Sequence, residues 1–333
     1  MKIAILTRRS DHLSLRIYRE NIVRELTALN ITFTRFAETE PVPPACDLSW
    51  DPGLGMRRVP RSLYAAAIPV IVTVHGVRAF SLPSKELTFT WKERAELLIL
   101  KKQLLSDWQS LRSKVSAVIT VSNFGASELT SAFSVPKEIV HPVYHGIDHS
   151  VFNVSGPAHS EGHPYMFAVS RYRPVKNVER LFAAHAAMQA ENRPALVTVL
   201  PDCQENFDLA GVRVIKKSID QTILADYYRG ALCAVQPSLR ESFSFPVIEA
   251  MACGCPVITA NSTGCAEVAG DAALLVDPRS VDNISQAMTR LAKDSSLRET
   301  LRYKGISRAR HFTWQKSAQD HLKVFQGVLG GTA

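Results

Sequence analysis

Short β-branched runs that alternate with helical segments restrict the fold of this chain more than any other feature. KIAIL precedes LSLRIYRENIVREL, VIVTVH precedes a leucine-rich segment that begins at Trp91, and AVITVS precedes NFGASEL. Continuous apolar strands joined by helical crossovers are typical of parallel sheets that are covered on both faces. The first part of the chain is therefore predicted to form a doubly wound α/β lobe.

A second series of such runs indicates a second lobe. It comprises YMFAVS, ALVTVL, VRVIK, CAVQPS, PVITA and ALLVDP. Between the two series lies a stretch rich in Gly, Pro, Ser and His, which places a linker near residues 150–163. Residues 38–62 are the least regular region. A chain of 333 residues has room for two cores. The prediction is one lobe over residues 1–150, another over 151–315, and a ligand cleft between them.

Composition excludes several classes of protein. With 46% hydrophobic and 21% charged residues, and no run of about 18 apolar residues, the chain is expected to be globular and not to cross a bilayer. The apolar run IAIL is too short for a signal-peptide core. The six cysteines lack CxxC spacing, so neither a zinc site nor a disulfide framework is indicated, and the cytoplasm fits best. The net charge of +8 suits anionic partners, but no RNP-like strand, finger spacing or dense basic run indicates nucleic acid.

The stretch ESFSFPVIE is the first candidate for chemistry. It follows the strand CAVQPS, and Pro246 is expected at the first position of the helix behind it. The amides of that helix start would favour a diphosphate at the carboxyl end of a parallel strand. Glu241 and Glu249 would then accept hydrogen bonds from hydroxyl groups of a neutral part of the ligand. The structural alternative is that Glu241 caps the helix and Glu249 is a solvated acid of its first turn.

The stretch SRYRPVKN is the second candidate. Arg171 follows the strand YMFAVS directly, and Lys176 stands five residues later, before a helix led by Asn177. Two cations at a strand end can neutralise a leaving diphosphate, with Arg173 as a competitor for the same task. The alternative is that these residues are ordinary solvated loop charges.

Taken together, these stretches resemble the retaining nucleotide-sugar glycosyltransferases of family 4, which have the GT-B fold. ESFSFPVIE matches the E-x7-E motif of that family and EAMACGCPV its continuation. GCAEVAGDAALLVDP and HFTW resemble two later segments. The resemblance is strong over residues 139–328 and covers the first lobe only in outline. It implies two Rossmann-like lobes with an interdomain cleft, and a C-terminal helix over 316–333 that crosses back to the N-terminal lobe.

The resemblance also implies roles for individual residues. Glu249 would hold the ribose, Glu241 would lie beside hydroxyls of the donor sugar, and Arg171 and Lys176 would carry the diphosphate charge. His75, at the end of VIVTVH, would contact the donor sugar, unless it is satisfied by the backbone at a strand terminus. The implied catalytic residues are His75, Arg171, Lys176 and Glu241. The implied donor-binding residues are Gly76, Ser244, Phe245, Pro246, Val247 and Glu249.

The sequence departs from the family pattern at two places. The first strand is followed by LTRRSDHLSL, without the glycine-rich loop of many members, so that Arg8, Arg9 or Ser14 would have to substitute through their side chains. The usual EGFG is ESFS, which places Ser242 and Ser244 where glycine often gives room, and donor binding is expected to survive.

The segment 91–114 is predicted to form a basic amphipathic helix. One face carries the residues Leu97, Leu100, Leu104, Trp108 and Leu111, and lysines are distributed elsewhere. The helix either packs its leucine stripe on the first-lobe sheet, or rests on an anionic bilayer or receives a lipid-linked acceptor.

These inferences combine into one predicted function. The chain is expected to be a cytoplasmic hexosyltransferase that retains anomeric configuration, with peripheral contact to the inner face of the membrane as an open question. It would use neither metal nor cofactor and would move a hexose from a nucleotide diphosphate sugar to a glycan or lipid-linked glycan, in polysaccharide or glycoconjugate biosynthesis. A UDP-sugar such as UDP-glucose is slightly favoured over GDP-mannose. The rivals are a catalytically silent nucleotide-sugar-binding subunit and a GT-B-fold sugar-nucleotide epimerase.

Overall fold

The computed structural model describes residues 1–8 and 13–331, and these residues form two compact units. Unit 1 comprises Met1–Ser84, Thr90–Gly146 and Thr313–Ala333, and unit 2 comprises Lys85–Phe89 and Ile147–Phe312. The short segment Lys85–Phe89 belongs to unit 2 because Glu86 Oε2 accepts a hydrogen bond from Arg279 at 2.8 Å and Phe89 stacks on Tyr172. The chain therefore leaves unit 1 for its longest excursion at 146/147 and returns at 312/313.

Unit 1 is built on a parallel sheet. Its elements before the long excursion are β1 Lys2–Thr7, α1 Leu13–Ala28, β2 Thr32–Ala37, β3 Leu48–Asp51, α2 Arg61–Tyr64, β4 Val70–Val74, α3 Trp91–Leu111, β5 Val115–Thr120, α4 Asn123–Phe133 and β6 Val140–Pro142. Within the described residues the strand order is β2-β1-β3-β4-β5-β6, and every neighbouring pair is parallel. All residues of β3 and β4 are buried, as expected for strands covered on both faces.

Unit 2 repeats this plan. Its elements are β7 Tyr165–Val169, α5 Val178–Ala186, β8 Ala195–Val199, β9 Val212–Ile215, α6 Gln221–Gly230, β10 Cys233–Gln236, α7 Phe245–Ala252, β11 Val257–Ala260, α8 Thr263–Ala269, β12 Leu274–Val276, α9 Val281–Lys293 and α10 Ser295–Ala309; unit 1 then resumes with α11 Trp314–Gly330. Short 3₁₀ helices lie at Arg78–Phe80, Ser84–Glu86, Lys137–Ile139, Pro174–Lys176 and Ala190–Asn192.

The strand order of unit 2 fixes where a ligand is expected. Among the described residues it is β12-β11-β10-β7-β8-β9, again with parallel pairs throughout. From β7 the chain winds to one side through β8 and β9, and it then crosses over to β10 on the other side of β7. The point between β7 and β10 is thus a topological switch point, beside which open α/β sheets bind ligands at the strand carboxyl ends. The predicted α/β class with two doubly wound lobes is confirmed.

Three strands of unit 1 lie outside the predicted series. They are β2, β3 and β6, and β3 lies inside the region 38–62 that the sequence marked as least regular. Despite this irregular surrounding, β3 is central in the sheet and pairs with both β1 and β4. Only four residues long, it is too short for its alternation or its apolar run to stand out in the sequence.

The predicted linker is not a free connection. Residues 150–163 belong to unit 2, so the predicted boundary at residue 150 falls inside that unit. The segment is attached by hydrogen bonds: His159 N donates to Asp226 O at 2.9 Å, Arg229 Nε donates to Pro157 O at 2.7 Å, and Glu161 pairs with Arg213. Its Gly, Pro and Ser content therefore marks an irregular, largely exposed segment that is hydrogen-bonded to unit 2.

The helix α11 is held in unit 1 by a buried polar chain. Trp50 Nε1 donates to Thr73 Oγ1 at 3.0 Å, and Thr73 Oγ1 lies 3.2 Å from the Tyr18 hydroxyl. His321 Nδ1 lies 2.7 Å from the carbonyl of Ser317 and must donate to it, so Nε2 accepts from Tyr18 at 2.6 Å. Burial lowers the pKa of His321 to about 4, so the neutral ring that this chain requires is present at neutral pH.

Among the described residues no helix has the length and apolar character needed to cross a membrane.

Candidate functional site

The start of α7 lies in the loop that follows β10. The helix begins at Phe245, so Pro246 occupies its second position and not the first position that the sequence predicted. Ser244 is the N-cap residue, and its side chain caps none of the described backbone amides. Because the first amides of a helix have no partner inside it, this helix start can donate to an anion.

Glu249 is the most unusual residue of α7. The helix is apolar on nearly all sides, and Val247, Ile248, Ala250 and Met251 are all buried. Glu249 is itself only 9% exposed, and within residues 1–8 and 13–331 its carboxylate has no hydrogen-bond or ion-pair partner. Burial raises the pKa of Glu249 to about 8. The alternative of a solvated first-turn acid is therefore wrong.

Lys176 and Glu241, two of the predicted site residues, are in direct contact. Lys176 Nζ lies 2.5 Å from Glu241 Oε1, although 65 positions separate the two residues. Lys176 stands at the end of the 3₁₀ helix that follows β7, and Glu241 stands in the loop after β10. Glu241 does not cap α7. An ammonium group has three donors, so the pair leaves Lys176 able to bind a second anionic group.

The loop that carries Glu241 is fixed by the start of α8. Gly264 N donates to Glu241 O at 2.8 Å, and Glu241 N donates to Thr263 Oγ1 at 3.3 Å. A Cβ atom on Gly264 would lie 2.4 Å from Ser242 O, so only glycine permits this approach. The backbone of Glu241 is therefore held by two hydrogen bonds and by close packing against Gly264, which fixes the position of its side chain.

Asn177 is a residue whose importance the sequence did not reveal. It is buried, it has φ 64° and ψ 32°, and it lies between the 3₁₀ helix of Lys176 and α5. Its Nδ2 donates to Pro237 O at 2.8 Å and to Pro278 O at 2.6 Å, and its Oδ1 accepts from Arg180 at 2.8 Å. One side chain thus joins the loops after β7, β10 and β12. The signal available in the sequence was an Asn between a proline-containing loop and a helix, since Asn adopts the left-handed region more readily than most residues.

We expect Asn177→Ala to destabilise the protein by about 2–4 kcal/mol, because two buried carbonyls lose their donor and alanine is strained at positive φ. Asn177→Gly is the matched control: it loses the same hydrogen bonds but accepts the backbone, so it should recover about 1 kcal/mol of that loss. Urea denaturation measures both. A change for Asn177→Ala within about 0.5 kcal/mol, the range of ordinary surface substitutions, would contradict this role.

Arg171 is placed differently from Lys176. Its side chain is 61% exposed, and its guanidinium lies 3.5 Å from Asp202 Oδ2, while Asp202 Oδ1 accepts from Tyr172 N at 2.8 Å. Among the described residues no hydrogen bond or ion pair connects Arg171 to Lys176 or Glu241. Arg173, the predicted competitor, is also exposed. The ammonium group of Lys176 is thus held in place by the carboxylate of Glu241, which lies in the loop after β10.

His75 and Gly76 lie in unit 1, directly after β4. His75 Nε2 donates to Pro52 O at 2.8 Å, and the ring stacks on His145 with 5.3 Å between centroids. Tyr18 contacts the same ring edge-on at 4.7 Å. Gly76 has φ 143°, which favours glycine. The backbone contact of the structural alternative is present, and contact with a donor sugar stays a prediction.

Of the residues proposed to replace the missing glycine-rich loop, Arg8 is unsuitable. Its guanidinium makes two hydrogen bonds to Asp51, each 2.6 Å long, and one to Glu38 at 2.6 Å. With its side chain only 2% exposed, it is committed to the buried carboxylate of Asp51 and the exposed one of Glu38. Ser14 is exposed in the first turn of α1, and Arg9 lies outside the described residues.

In the described part of the chain no three His, Cys, Asp or Glu side chains are grouped so that they could hold a metal ion. Metal independence stays a prediction.

Comparisons with known proteins agree with this architecture. Residues 153–308 match the family of glycosyl transferases group 1, and residues 46–151 match glycosyltransferase family 4. The two matches together cover most of the chain.

Three similar proteins are informative. O-antigen chain mannosyltransferase B of Escherichia coli is 24% identical over 276 residues, which cover 77% of this chain and 70% of that protein. D-inositol 3-phosphate glycosyltransferase of Kribbella flavida is 28% identical over 228 residues, which cover 60% of this chain and 54% of that protein. The solved structure of Anabaena HepE in complex with UDP-glucose superposes with a TM-score of 0.72 at 16% identity, covering 98% of this chain and 100% of HepE.

These findings fit the two parallel sheets and the E-x7-E stretch that begins in the loop after β10. The chain belongs to the family 4 glycosyltransferases of the GT-B fold.

Proposed function

We propose that this protein transfers a hexose, with retention of configuration, from a nucleotide diphosphate sugar to a hydroxyl group of a glycan or lipid-linked glycan. The observation that carries the proposal is the buried Glu249 carboxylate without a partner among the described residues. A buried charge of this kind is costly unless it receives hydrogen bonds. The two hydroxyl groups of a ribose are neutral donors that would supply them.

The diphosphate of the donor would bind at the N-terminus of α7, the helix that contains Glu249. The start of α7 brings the backbone amide of Val247 to this place, whereas Pro246 has none, and the amide of the N-cap residue Ser244 lies one residue before the helix. Lys176 stands at the end of the 3₁₀ helix that follows the neighbouring strand β7, and its ammonium group retains two donors beside its bond to Glu241. In this assignment, Lys176 and the helix start stabilise the charge that grows on the leaving phosphate as the glycosidic bond breaks.

Glu241 has a different part in the proposal. Its carboxylate is held 2.5 Å from the ammonium group of Lys176 and accepts hydrogen bonds from donor-sugar hydroxyls. In a front-face displacement the acceptor hydroxyl attacks the anomeric carbon on the side that the diphosphate leaves. The leaving phosphate oxygen takes the hydroxyl proton, so no enzymic nucleophile is needed. Arg171 and His75 complete the proposed catalytic set.

Two nucleotide sugars are candidates for the donor substrate. HepE was solved with UDP-glucose, which supports a UDP-sugar as the first candidate. The Escherichia coli relative is named a mannosyltransferase, which supports GDP-mannose as the second. A silent nucleotide-sugar-binding subunit and a sugar-nucleotide epimerase are the competing functions. Formation of a glycosylated acceptor separates a transferase from both.

The deciding experiment is calorimetric titration with UDP, GDP, ADP and their common sugars, with and without EDTA. We expect one nucleotide to bind the wild type equally well with the chelator, and to bind Glu249→Ala and Lys176→Ala at least tenfold more weakly, since each loses a hydrogen-bonded or charged contact. Arg173→Ala serves as an exposed control. Product anomers are then assigned by NMR: binding without turnover would favour the silent subunit, and no binding of any nucleotide to folded protein would overturn the proposal.

A further inference from the structure

Helix α3 has one face that is fully used by the core of unit 1. Leu104, Trp108 and Leu111 are completely buried, and Leu100 packs against the same core. This is the stripe that the sequence predicted, and the packing interpretation of that stripe is confirmed. The predicted stripe is therefore not available to a membrane.

The opposite face of α3 carries large apolar side chains that are exposed. Trp91 is 80% exposed, Leu98 54%, Ile99 58% and Leu105 46%. Trp91, Leu98 and Leu105 are spaced seven residues apart, so they lie along one line of the helix, and Ile99 lies beside Leu98. The stripe extends over four helical turns, which is more than the scattered single residues that an ordinary surface shows.

Cations surround this exposed stripe. Lys102 lies between Leu98 and Leu105, Arg94 and Lys101 lie on one side of the stripe, and Lys92 lies on the other. Within the described residues Lys92, Arg94 and Lys102 have no ion-pair partner, and Lys101 lies over the ring of Phe80. The stripe and its cations therefore form a continuous apolar and basic surface.

Two of the three acidic residues of α3 lie away from this surface. Glu93 is engaged in the capping box with Thr90, and Asp107 is buried and accepts two hydrogen bonds from Arg58. Glu96 is exposed about 140° around the helix from Trp91, where it is a neighbour of Ile99 and Lys92 at one edge of the surface. Along the line of Trp91, Leu98 and Leu105 the neighbouring charges are basic, and cations outnumber this one carboxylate four to one.

We propose that the exposed face of α3, defined by Trp91, Leu98, Ile99, Lys102 and Leu105, binds the surface of an anionic phospholipid bilayer. Such a helix lies in the interface with its apolar side chains below the headgroups and its cations at the phosphates. Indole rings favour that boundary, and long basic side chains reach it with their charged ends. The charge pattern disfavours a second copy of this chain as the occupant, because pairing two such faces would place cation against cation. This inference does not depend on the proposed reaction.

The tryptophans of the chain make the test specific. The sequence has four, and Trp50, Trp108 and Trp314 are buried while Trp91 is exposed. We expect the full chain to co-sediment with vesicles of phosphatidylglycerol and phosphatidylcholine at low salt. Its tryptophan emission should shift to the blue and be quenched by brominated lipid, because Trp91 enters the acyl boundary. Vesicles of phosphatidylcholine alone and high salt should both weaken binding.

Four variants and two controls test the proposal. Trp91→Ser with Leu98→Ser should lower the vesicle partition coefficient at least tenfold, and each of Lys92→Glu, Arg94→Glu and Lys102→Glu by about fivefold or more. Tyr303→Ser, at another exposed aromatic residue, and Lys217→Glu, at another exposed lysine, should leave it unchanged. The proposal is overturned by an absence of vesicle binding, by binding without a change in Trp91 emission, or by a blue shift that follows protein concentration without vesicles, which would identify self-association.

Discussion

Lys176→Met is expected to lower kcat/KM for the donor by about 10²–10³, because one preorganised cation beside the developing phosphate charge is lost. The loss has a second source in the geometry. Glu241 Oε1 lies 2.5 Å from Lys176 Nζ, so removal of the ammonium group leaves a carboxylate of 16% side-chain exposure next to the diphosphate. That uncompensated charge would repel the donor. Steady-state kinetics with the nucleotide sugar that binds the wild type measure the effect.

A double variant separates these two sources. Lys176→Met together with Glu241→Gln removes both charges, so it should bind the nucleoside diphosphate without its sugar more tightly than Lys176→Met alone. Arg173→Ala, three residues before Lys176 and exposed, should change kcat/KM by less than about tenfold, since exposed charges are screened. Equal losses for Arg173→Ala and Lys176→Met, with no recovery in the double variant, would exclude an oriented role for Lys176.

Glu249→Gln is expected to stabilise the protein without ligand, and to do so increasingly as pH rises. The pKa of Glu249 is raised from 4.5 to about 8 by burial, so the folded state keeps a proton that the unfolded state releases. The wild type therefore loses stability relative to the variant as pH rises from about 4.5 to about 8, and the difference is constant above that. By linkage, the difference in free energy of unfolding between Glu249→Gln and the wild type should reach about 4 kcal/mol at pH 8. Urea denaturation at a series of pH values measures it.

The same proton should couple to nucleotide binding. If the ribose is held by the carboxylate form, the affinity of the wild type falls about tenfold for each pH unit below 8, because the competent fraction falls in that proportion. Glu249→Gln should bind weakly and without this pH dependence. Glu299→Gln, the same change at an exposed position, is the control for both measurements. A flat stability difference between pH 5 and pH 8 would show that Glu249 is ionised in the empty protein.

Much of the fold was predictable, because a buried parallel strand is a continuous apolar run. Val70–Val74 and Tyr165–Val169 could be read directly from such runs. Leu48–Asp51 could not, since four residues within a polar and proline-containing region carry too little pattern. The contact between Tyr18 and His321 joins residues 303 positions apart, and no local rule predicts a hydrogen bond at that distance.

The site was predictable in its residue types and less so in its geometry. The helix PVIEAMA is apolar on all sides, so the burial of Glu249 was implicit in the sequence, because helices of this kind are buried. The bonds of Asn177 to Pro237 and Pro278 were hidden because they cross 60 and 101 positions. Arg171 and Lys176 look equivalent in sequence, and only the placement of Glu241 distinguishes them.

The path of the chain has a genetic consequence. Ile147 N donates to Phe312 O at 3.1 Å, so the long segment of unit 2 begins and ends at one point. The DNA for residues 147–312 is therefore a single continuous segment. Its exchange for the corresponding segment of a related enzyme would leave the backbone of unit 1 before residue 147 and after residue 312 in its original position. Lys85–Phe89 would have to be exchanged with it, because Glu86 bonds to Arg279. We therefore expect recombination within this family to be tolerated best when its two crossover points lie at 146/147 and 312/313.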